Sequence, residues 1–381
     1  MPRKNRLSEE EPLPWPASVR AALQRRLLAW FAQSRRPLPW RKDRDPYRIW
    51  VSEVMLQQTT TAAVVPYYER FLAAFPTVEA LAQADEDEVL RLWQGLGYYR
   101  RARHLHAAAR RLVQQHGGCL PDDPHLWRSL PGVGRYICAA VLSQAFDRRL
   151  PIVEANSLRV LARLHGYRGD PRQGAGQRWV WRAAEALLPH RSVGDFNQAL
   201  MELGSLVCTP RQPRCDQCPW QRWCRARQRG EQERIPPPPS RPATEDVQEL
   251  AVLVWSGSRL LLCQRPAEAQ RWPRLWEVPH GAITSIANAR TELPELVRQT
   301  TALEVRPIQP LTTLCHRVTR FRIHLHAWSA QYLGGTFASD FYGAAAWVTP
   351  PEWDHFPLSS PQRRLLEKLA ARLLTSEQEE A

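Results

Sequence analysis

The sequence predicts two parts of different class: a mainly α part over 18–230 and a smaller α+β part over 247–374. Three observations carry this. Apolar residues recur with helical spacing through the first part, whereas the second holds short apolar runs and one that alternates with polar residues. Charge divides at the same place: residues 1–230 carry 36 basic and 21 acidic side chains, and residues 231–381 carry 16 and 17. Between them, 231–246 holds Pro236-Pro237-Pro238-Pro239 among charged and polar residues, the composition of a stiff linker. Residues 1–17, charged and rich in proline, read as a disordered tail.

The periodicity predicts helices at 18–33, 47–58, 61–74, 85–94, 100–116, 135–145, 156–164, 176–188 and 195–206. Gly117-Gly118 and Gly166 are among the turn signals between them. Beyond the linker, 247–255 and 259–263 flank Ser256-Gly257-Ser258 and read as a hairpin. Residues 321–330 read as a strand, with Phe321, Ile323, Leu325 and Ala327 alternating with Arg322, His324 and His326. Residues 291–301 and 359–374 read as helices.

Composition narrows the function classes. With 44% hydrophobic and 24% charged residues in 381, the chain has a globular composition. Its formal net charge of +14 lies wholly in the first part, as expected for a polyanion-binding region. No run is long and apolar enough for a membrane span. Arg3, Lys4 and Arg6 are followed by Glu9-Glu10-Glu11 and by no apolar stretch, so the start does not read as a signal peptide. The default expectation is a cytoplasmic monomer, nucleoid-associated in a bacterium. There the eight cysteines would be thiols or metal ligands rather than disulfides. Lys4, Lys42 and Lys368 are the only lysines, which excludes lysine Schiff-base chemistry over 43–367.

Two motifs point to chemistry. Leu130-Pro131-Gly132-Val133-Gly134-Arg135 joins two helical segments; Gly132 and Gly134 allow a tight turn whose N–H groups could hold a phosphate. Taken alone, such a turn could equally be a plain helix connection. Cys208, Cys215, Cys218 and Cys224 fall within 17 residues, a strong metal signal that leaves zinc and iron–sulfur both open. Arg211, Arg214, Arg222, Arg225, Arg227 and Arg229 lie among or just after them, as suits phosphate contact.

With these motifs stand Leu38-Pro39-Trp40-Arg41, the run Trp50-Val51-Ser52-Glu53-Val54-Met55-Leu56-Gln57-Gln58-Thr59, Gly95-Leu96-Gly97-Tyr98-Tyr99 and Phe196-Asn197-Gln198. Together they resemble the MutY adenine DNA glycosylases, densely over 18–230 and more weakly to about 372. The resemblance implies a helix–hairpin–helix domain with a [4Fe–4S] cluster loop at 208–224, plus a C-terminal Nudix-like domain. It implies double-stranded DNA as partner and monofunctional removal, by base flipping, of adenine mispaired with 8-oxoguanine or guanine.

Residue by residue, Glu53 lies between Ile49, Trp50 and Leu56, an apolar setting that raises a carboxyl pKa. The resemblance places it at the catalytic acid. Tyr136 stands where the related bifunctional enzymes hold a catalytic lysine, so base removal without efficient strand cleavage is expected. Glu154-Ala155-Asn156 stands where the family reads Asp-Gly-Asn. Glu154 would stabilise the sugar cation and Asn156 would orient it; as residues alone, both would serve equally as helix caps. The added methylene could cost on the order of 100-fold in rate if it displaces the carboxylate by about 1 Å. Ala155 matters if the backbone there needs a positive φ. Gln58 and Tyr98 match residues that enter the base stack, and Thr59 and Leu96 match contacts to the damaged base. Trp40, Arg41 and Gln198 match the adenine pocket.

In the second part, a working Nudix box read from Gly281 would need glutamates and an arginine where Ala287, Leu296, Gln299 and Thr300 stand, so pyrophosphatase chemistry is not expected. The family's damage-reading Phe-Ser-His aligns with Val318-Thr319-Arg320. Thr319 keeps a hydroxyl, while Arg320 changes the group offered to the base. The departures at Glu154, Ala155 and Arg320 leave two rivals: the same fold with altered base specificity, or a damage-binding protein without catalysis.

Overall fold

The computed structural model describes residues 15–239 and 243–379, with side chains to 371. Most of the expected 1–17 tail therefore lies outside the described residues. Its last residues are ordered: Trp15 Nε1 donates to His165 Nε2 (3.4 Å), and Ala17 opens the first helix.

The helices in chain order are α1 (Ala17–Ser34), α2 (Pro46–Met55), α3 (Thr61–Ala74), α4 (Val78–Gln83), α5 (Glu86–Trp93), α6 (Arg100–His116), α7 (Pro124–Ser129), α8 (Arg135–Phe146), α9 (Ala155–His165), α10 (Gly174–Leu187), α11 (Val193–Leu206) and α12 (Arg225–Gln228). None is long and apolar enough to cross a membrane. The chain divides into two compact units, one of Met1–Ala82 with Ala107–Ser240 and one of Gln83–His106 with Arg241–Ala381. This differs from the expected 18–230 block: α5 and the first turns of α6 belong to the sheet-bearing unit.

In the helical unit, α1, α9, α10 and α11 share a core in which Leu23, Leu27, Leu161, Leu187 and Leu203 are fully buried. Each such side chain contributes about 1.5–3 kcal/mol. α2 starts sharply, because Pro46 has no N–H to lose and Asp45 accepts from Tyr47 N (2.8 Å) and Arg48 N (3.4 Å). It packs against α8 with most of its residues buried, Glu53 among them. α2 ends at Met55 rather than at the expected 58.

The sheet unit runs in the order β3 (Trp276–Glu277), β2 (Arg259–Gln264), β1 (Glu245–Ser256), β6 (Phe321–Gly334) and β5 (Glu304–Val318). β4 (His280–Ala282) pairs with β1, and β7 (Ala344–Val348) pairs with β2. β1 and β6 are parallel, from Glu245 opposite Phe321 to Trp255 opposite Gln331. Alternation along β1 sends Ala251 and Leu253 to one face and Leu250, Val252 and Val254 to the other. Leu365 and Leu366 of α14 (Ser360–Glu379) cover the first face; Leu293 and Val297 of α13 (Ala289–Thr301) cover the second. The segment expected as a linker is partly structured. Ile235 is buried against Ala162 and Ala226, its carbonyl accepts from Arg163 Nε (2.8 Å), and Glu245 already opens β1.

Candidate active site

Glu53 is 3% exposed, and both its oxygens are engaged. Oε2 accepts from the Tyr136 hydroxyl (2.7 Å) and Oε1 from Gln144 Nε2 (2.7 Å). Both donors stand on α8, two turns apart on the face that meets α2. Burial pushes the Glu53 pKa above the carboxylate range; Tyr136 and Gln144 pull the other way, Glu154 adds to the rise and Arg41 opposes it. Burial likewise lifts the Tyr136 phenol well above its usual value, so it is a neutral donor. Its hydroxyl also lies 3.3 Å from Met201 Sδ, a weak alternative acceptor when the Glu53 oxygen carries the proton. The arrangement is that of an acid: protonated at rest, with two donors ready to hold the carboxylate left after proton transfer.

Glu154 is the N-cap of α9, with extended backbone. Its Oε1 accepts from Ser157 N (2.7 Å), its Oε2 from Asn156 N (2.8 Å) and Asn156 Nδ2 (3.1 Å), and the Ser157 hydroxyl accepts from the Glu154 N–H (2.8 Å). The extra methylene is absorbed by folding the carboxylate back onto the helix end. Ala155 is the first helical residue and is not among the positive-φ positions, so no glycine is required there. Burial raises the Glu154 pKa, against the Asn156 and Ser157 N–H groups and Arg159. Asn156 Oδ1 accepts from Arg159 Nη2 (2.8 Å), and Arg159 Nε donates to the Cys208 carbonyl (2.8 Å). The carboxylate is thereby linked through two side chains to the cysteine loop.

Trp40 is buried edge-on to Tyr68 (centroids 5.3 Å apart). Arg41 is committed to Glu202, through Nη2 to Oε2 (3.1 Å) and Nη1 to Oε1 (3.4 Å). Arg36 grips the same carboxylate through Nε and Nη2, each at 2.8 Å. Burial alone would lift the Glu202 pKa, but the bonds from Arg36 and then Arg41 hold it at about 2. Gln198 is half-buried on α11, while its neighbour Asn197 is structural, donating to Ser143 Oγ and the Leu150 carbonyl (2.9 Å each). Gln144, Arg36, Glu202, Arg159 and Arg163 were not among the sequence candidates. The i, i+4 pair Arg159 and Arg163 on an otherwise apolar helix was a readable signal for two of them.

Gln58 lies beyond the end of α2, exposed and at φ +59°. Tyr98 is 58% exposed at φ +48°. A left-handed residue with a side chain costs about 1–2 kcal/mol, so both expected wedge residues are held in uncommon conformations. Thr59 is partly buried, whereas Leu96 is buried and its carbonyl accepts from Arg101 Nη2 (3.2 Å). In the hairpin between α7 and α8 the two glycines differ. Gly132 takes φ +74°; Gly134 is extended, and a Cβ there would meet nothing within 4 Å, which leaves the start of α8 open to an approaching group. At the turn between β5 and β6, Thr319 (φ +53°) donates to its neighbour Val318's carbonyl (2.7 Å). Arg320, also exposed, pairs with Glu245 (3.3 Å) and lies over Phe321 (4.9 Å).

The four cysteine sulfurs line one cavity with Arg163 and Val207. Among the described residues, no three His, Cys, Asp or Glu side chains converge as ligands of a single ion do. An all-sulfur set around a shared space fits a cluster better than zinc. Arg163 Nη1 lies 3.3 Å from Cys208 Sγ and supplies positive charge beside the thiolates.

Comparison with known proteins agrees with this geometry. Residues 51–184 match the HhH-GPD superfamily of base excision DNA repair proteins, 208–224 the iron–sulfur binding domain of endonuclease III, and 250–368 the NUDIX domain. The adenine DNA glycosylase of Rattus norvegicus is 34% identical over 398 residues, covering 90% of this chain and 77% of that protein. The chain belongs to the adenine DNA glycosylase family. Its relative from Mycobacterium tuberculosis (strain ATCC 25618 / H37Rv) is 45% identical over 210 residues, covering 54% of this glycosylase and 67% of the relative. The human one is 40% identical over 290 residues, with 74% and 52% covered. The solved structure of a thermostable thymine-DNA glycosylase superposes with a TM-score of 0.51 at 30% identity, covering 56% of this chain and 98% of that one. This glycosylase therefore carries a [4Fe–4S] cluster loop at 208–224, with Cys208, Cys215, Cys218 and Cys224 as ligands by position, and DNA is its partner.

Proposed function

We propose that the enzyme removes adenine mispaired with 8-oxoguanine or guanine, flipping the base out of the duplex and hydrolysing its glycosidic bond without cutting the strand. The observation that carries this reading is the buried Glu53 carboxyl between Tyr136 and Gln144. Adenine leaves poorly until a ring nitrogen is protonated, and Glu53 is a group that is protonated near neutral pH and stabilised once it has given its proton away.

Glu154 is the electrostatic partner. Held at the positive end of α9, it stabilises the cationic sugar, and Asn156 orients it. Trp40, Arg41 and Gln198 line the adenine pocket; Gln58 and Tyr98 refill the stack, with Thr59 and Leu96 beside the damaged base. The hairpin at Gly132 and Gly134 and the arginines of the cysteine loop hold phosphates. The cluster, when bound, fixes that loop. Thr319 and Arg320 read the damaged base. Tyr136 stands where a Schiff-base lysine would be needed for strand cleavage, and none lies between 43 and 367.

The test is single-turnover adenine release from 8-oxoguanine:A and G:A duplexes, scored with and without alkali. The reading expects alkali-dependent breaks, faster on the damaged duplex, and a Glu53→Gln variant that binds DNA but releases no base. Full release by that variant removes Glu53 from the acid role. Alkali-independent breaks contradict the monofunctional reading.

A further inference from the structure

Leu96 and Tyr98 are carried by a loop that belongs to the sheet unit, although it lies between two helices. Its backbone is unusual: Gly95, Gly97 and Tyr98 have φ of +103°, +68° and +48°. Such a backbone persists only where its surroundings over-determine it. Two sets of bonds do so. Within the loop, Trp93 Nε1 donates to the Gly97 carbonyl (3.2 Å), and Arg101 Nη2 donates to the carbonyls of Leu96 (3.2 Å) and Gly97 (3.3 Å).

The second set leaves the loop. The Tyr99 hydroxyl accepts from Gly95 N (3.4 Å) and donates to the Leu358 carbonyl (3.0 Å). The Gln94 amide, with its oxygen turned to Arg363, accepts from Nη2 (2.9 Å) and Nε (2.5 Å). Just beyond, Arg103 Nη1 donates to the Ala267 carbonyl (3.3 Å) while its Nε holds Glu86 (2.7 Å). Leu358 is fully buried in the core that contains Leu314 of β5 and Leu325 of β6. Those two strands end at the turn that bears Thr319 and Arg320. Tyr98 itself is exposed, its ring lying beside Arg101 (5.4 Å).

We propose that Tyr99, with Gln94, is a positioning residue: through Leu358 and Arg363 it fixes the Gly95–Tyr99 loop to the frame that carries the Thr319–Arg320 turn, so that reading the damaged base and inserting Tyr98 are one event. The consequence is specificity for the opposite base. A reader that engages 8-oxoguanine brings Tyr98 to its place with it. A reader that finds guanine and engages weakly leaves Tyr98 without that guidance. The inference rests on the proposed roles of Tyr98 and the turn, and deepens them.

The experiment compares the full-length enzyme with Tyr99→Phe, which keeps the buried ring and loses only the hydroxyl, and with Tyr99→Phe/Gln94→Ala. Single-turnover adenine release is measured on 8-oxoguanine:A and G:A duplexes, with thermal melting alongside. A 2-aminopurine beside the damaged base reports unstacking. The double variant is expected to lose about 10- to 100-fold on the damaged duplex, as a displaced positioning group does, but only a few-fold on G:A, with a smaller fluorescence rise and little change in melting. Equal losses on both duplexes, or none on either, overturn the proposal. Tyr98→Ala separates the two layers: if it leaves both rates unchanged, the wedge role of Tyr98 fails and the proposal fails with it. If Tyr98→Ala slows release while the tether variants do not, the tether alone is wrong.

Discussion

Glu53 in the helical unit is 3% exposed with both oxygens bonded, whereas Thr319 and Arg320 in the sheet unit are exposed on a two-residue turn. Thr319 spends its hydroxyl on the adjacent Val318 carbonyl, and Arg320 holds only a surface pair with Glu245. The contrast follows from the task of each region. An acid must have its pKa set before substrate arrives, and only burial with fixed donors does that. A group that reads a base must be free to exchange its partners, and an exposed pair is worth less than about 1 kcal/mol, so exchange is cheap. Substitutions in the first region should therefore strike rate, and those in the second should strike choice of substrate.

The largest effect is expected at Glu53. Glu53→Gln should lower adenine release by at least about 1,000-fold with DNA binding retained, measured by single-turnover release and a gel-shift titration. In the parent enzyme the acid works only while protonated. The rate should hold through the pH range where an ordinary glutamate is already ionised, and fall once pH passes the raised pKa of Glu53. Next stands Glu154. Glu154→Gln keeps an oxygen for the α9 cap but loses the charge, and should cost about 100-fold in rate with melting little changed. Loss of folding in place of rate would reduce Glu154 to a cap.

Glu202 tests the framework of the same region. Its pKa is depressed from 4.5 to about 2, so its contribution to stability is present above about pH 4.5 and is lost as pH falls through about 2. That depression corresponds to about 3 kcal/mol. Glu202→Gln should lose about that much at pH 7 in denaturant titrations, and the gap between variant and parent should narrow in acid. A gap independent of pH would place the effect in packing. The smallest change is expected at Arg320. Arg320→Ala should leave release from G:A unaltered and slow the damaged duplex by only a few-fold, since one exposed contact is lost. An equal loss on both duplexes would make Arg320 a phosphate contact.

Legibility in the sequence followed the same divide. The long helices showed themselves through their apolar period, and the strand from Phe321 through alternation. α4, α7 and α12 were too short to display a period. β5 was hidden by Pro307 and Pro310 and by register shifts beside them, features tolerated because it ends the sheet order. Glu53 stood out because its neighbours are apolar. Gln144 did not, because one amide on an apolar helix carries no spacing signal, and Arg36 and Glu202 lie 166 residues apart. Local pattern showed 85–94 and 100–116 as helices, but not that their facing ends are fastened to Leu358 and Arg363. That depends on which surface an apolar face finds, which periodicity does not encode.

The account turns on Glu53 as a buried acid. The most direct measurement is the pH dependence of single-turnover adenine release from an 8-oxoguanine:A duplex, for the parent enzyme and for Tyr136→Phe. With one donor to the carboxylate removed, the Glu53 pKa should rise further, and the fall in rate on the alkaline side should move to higher pH. A fall that stays in place, or moves to lower pH, would contradict the assignment of Glu53 as the acid.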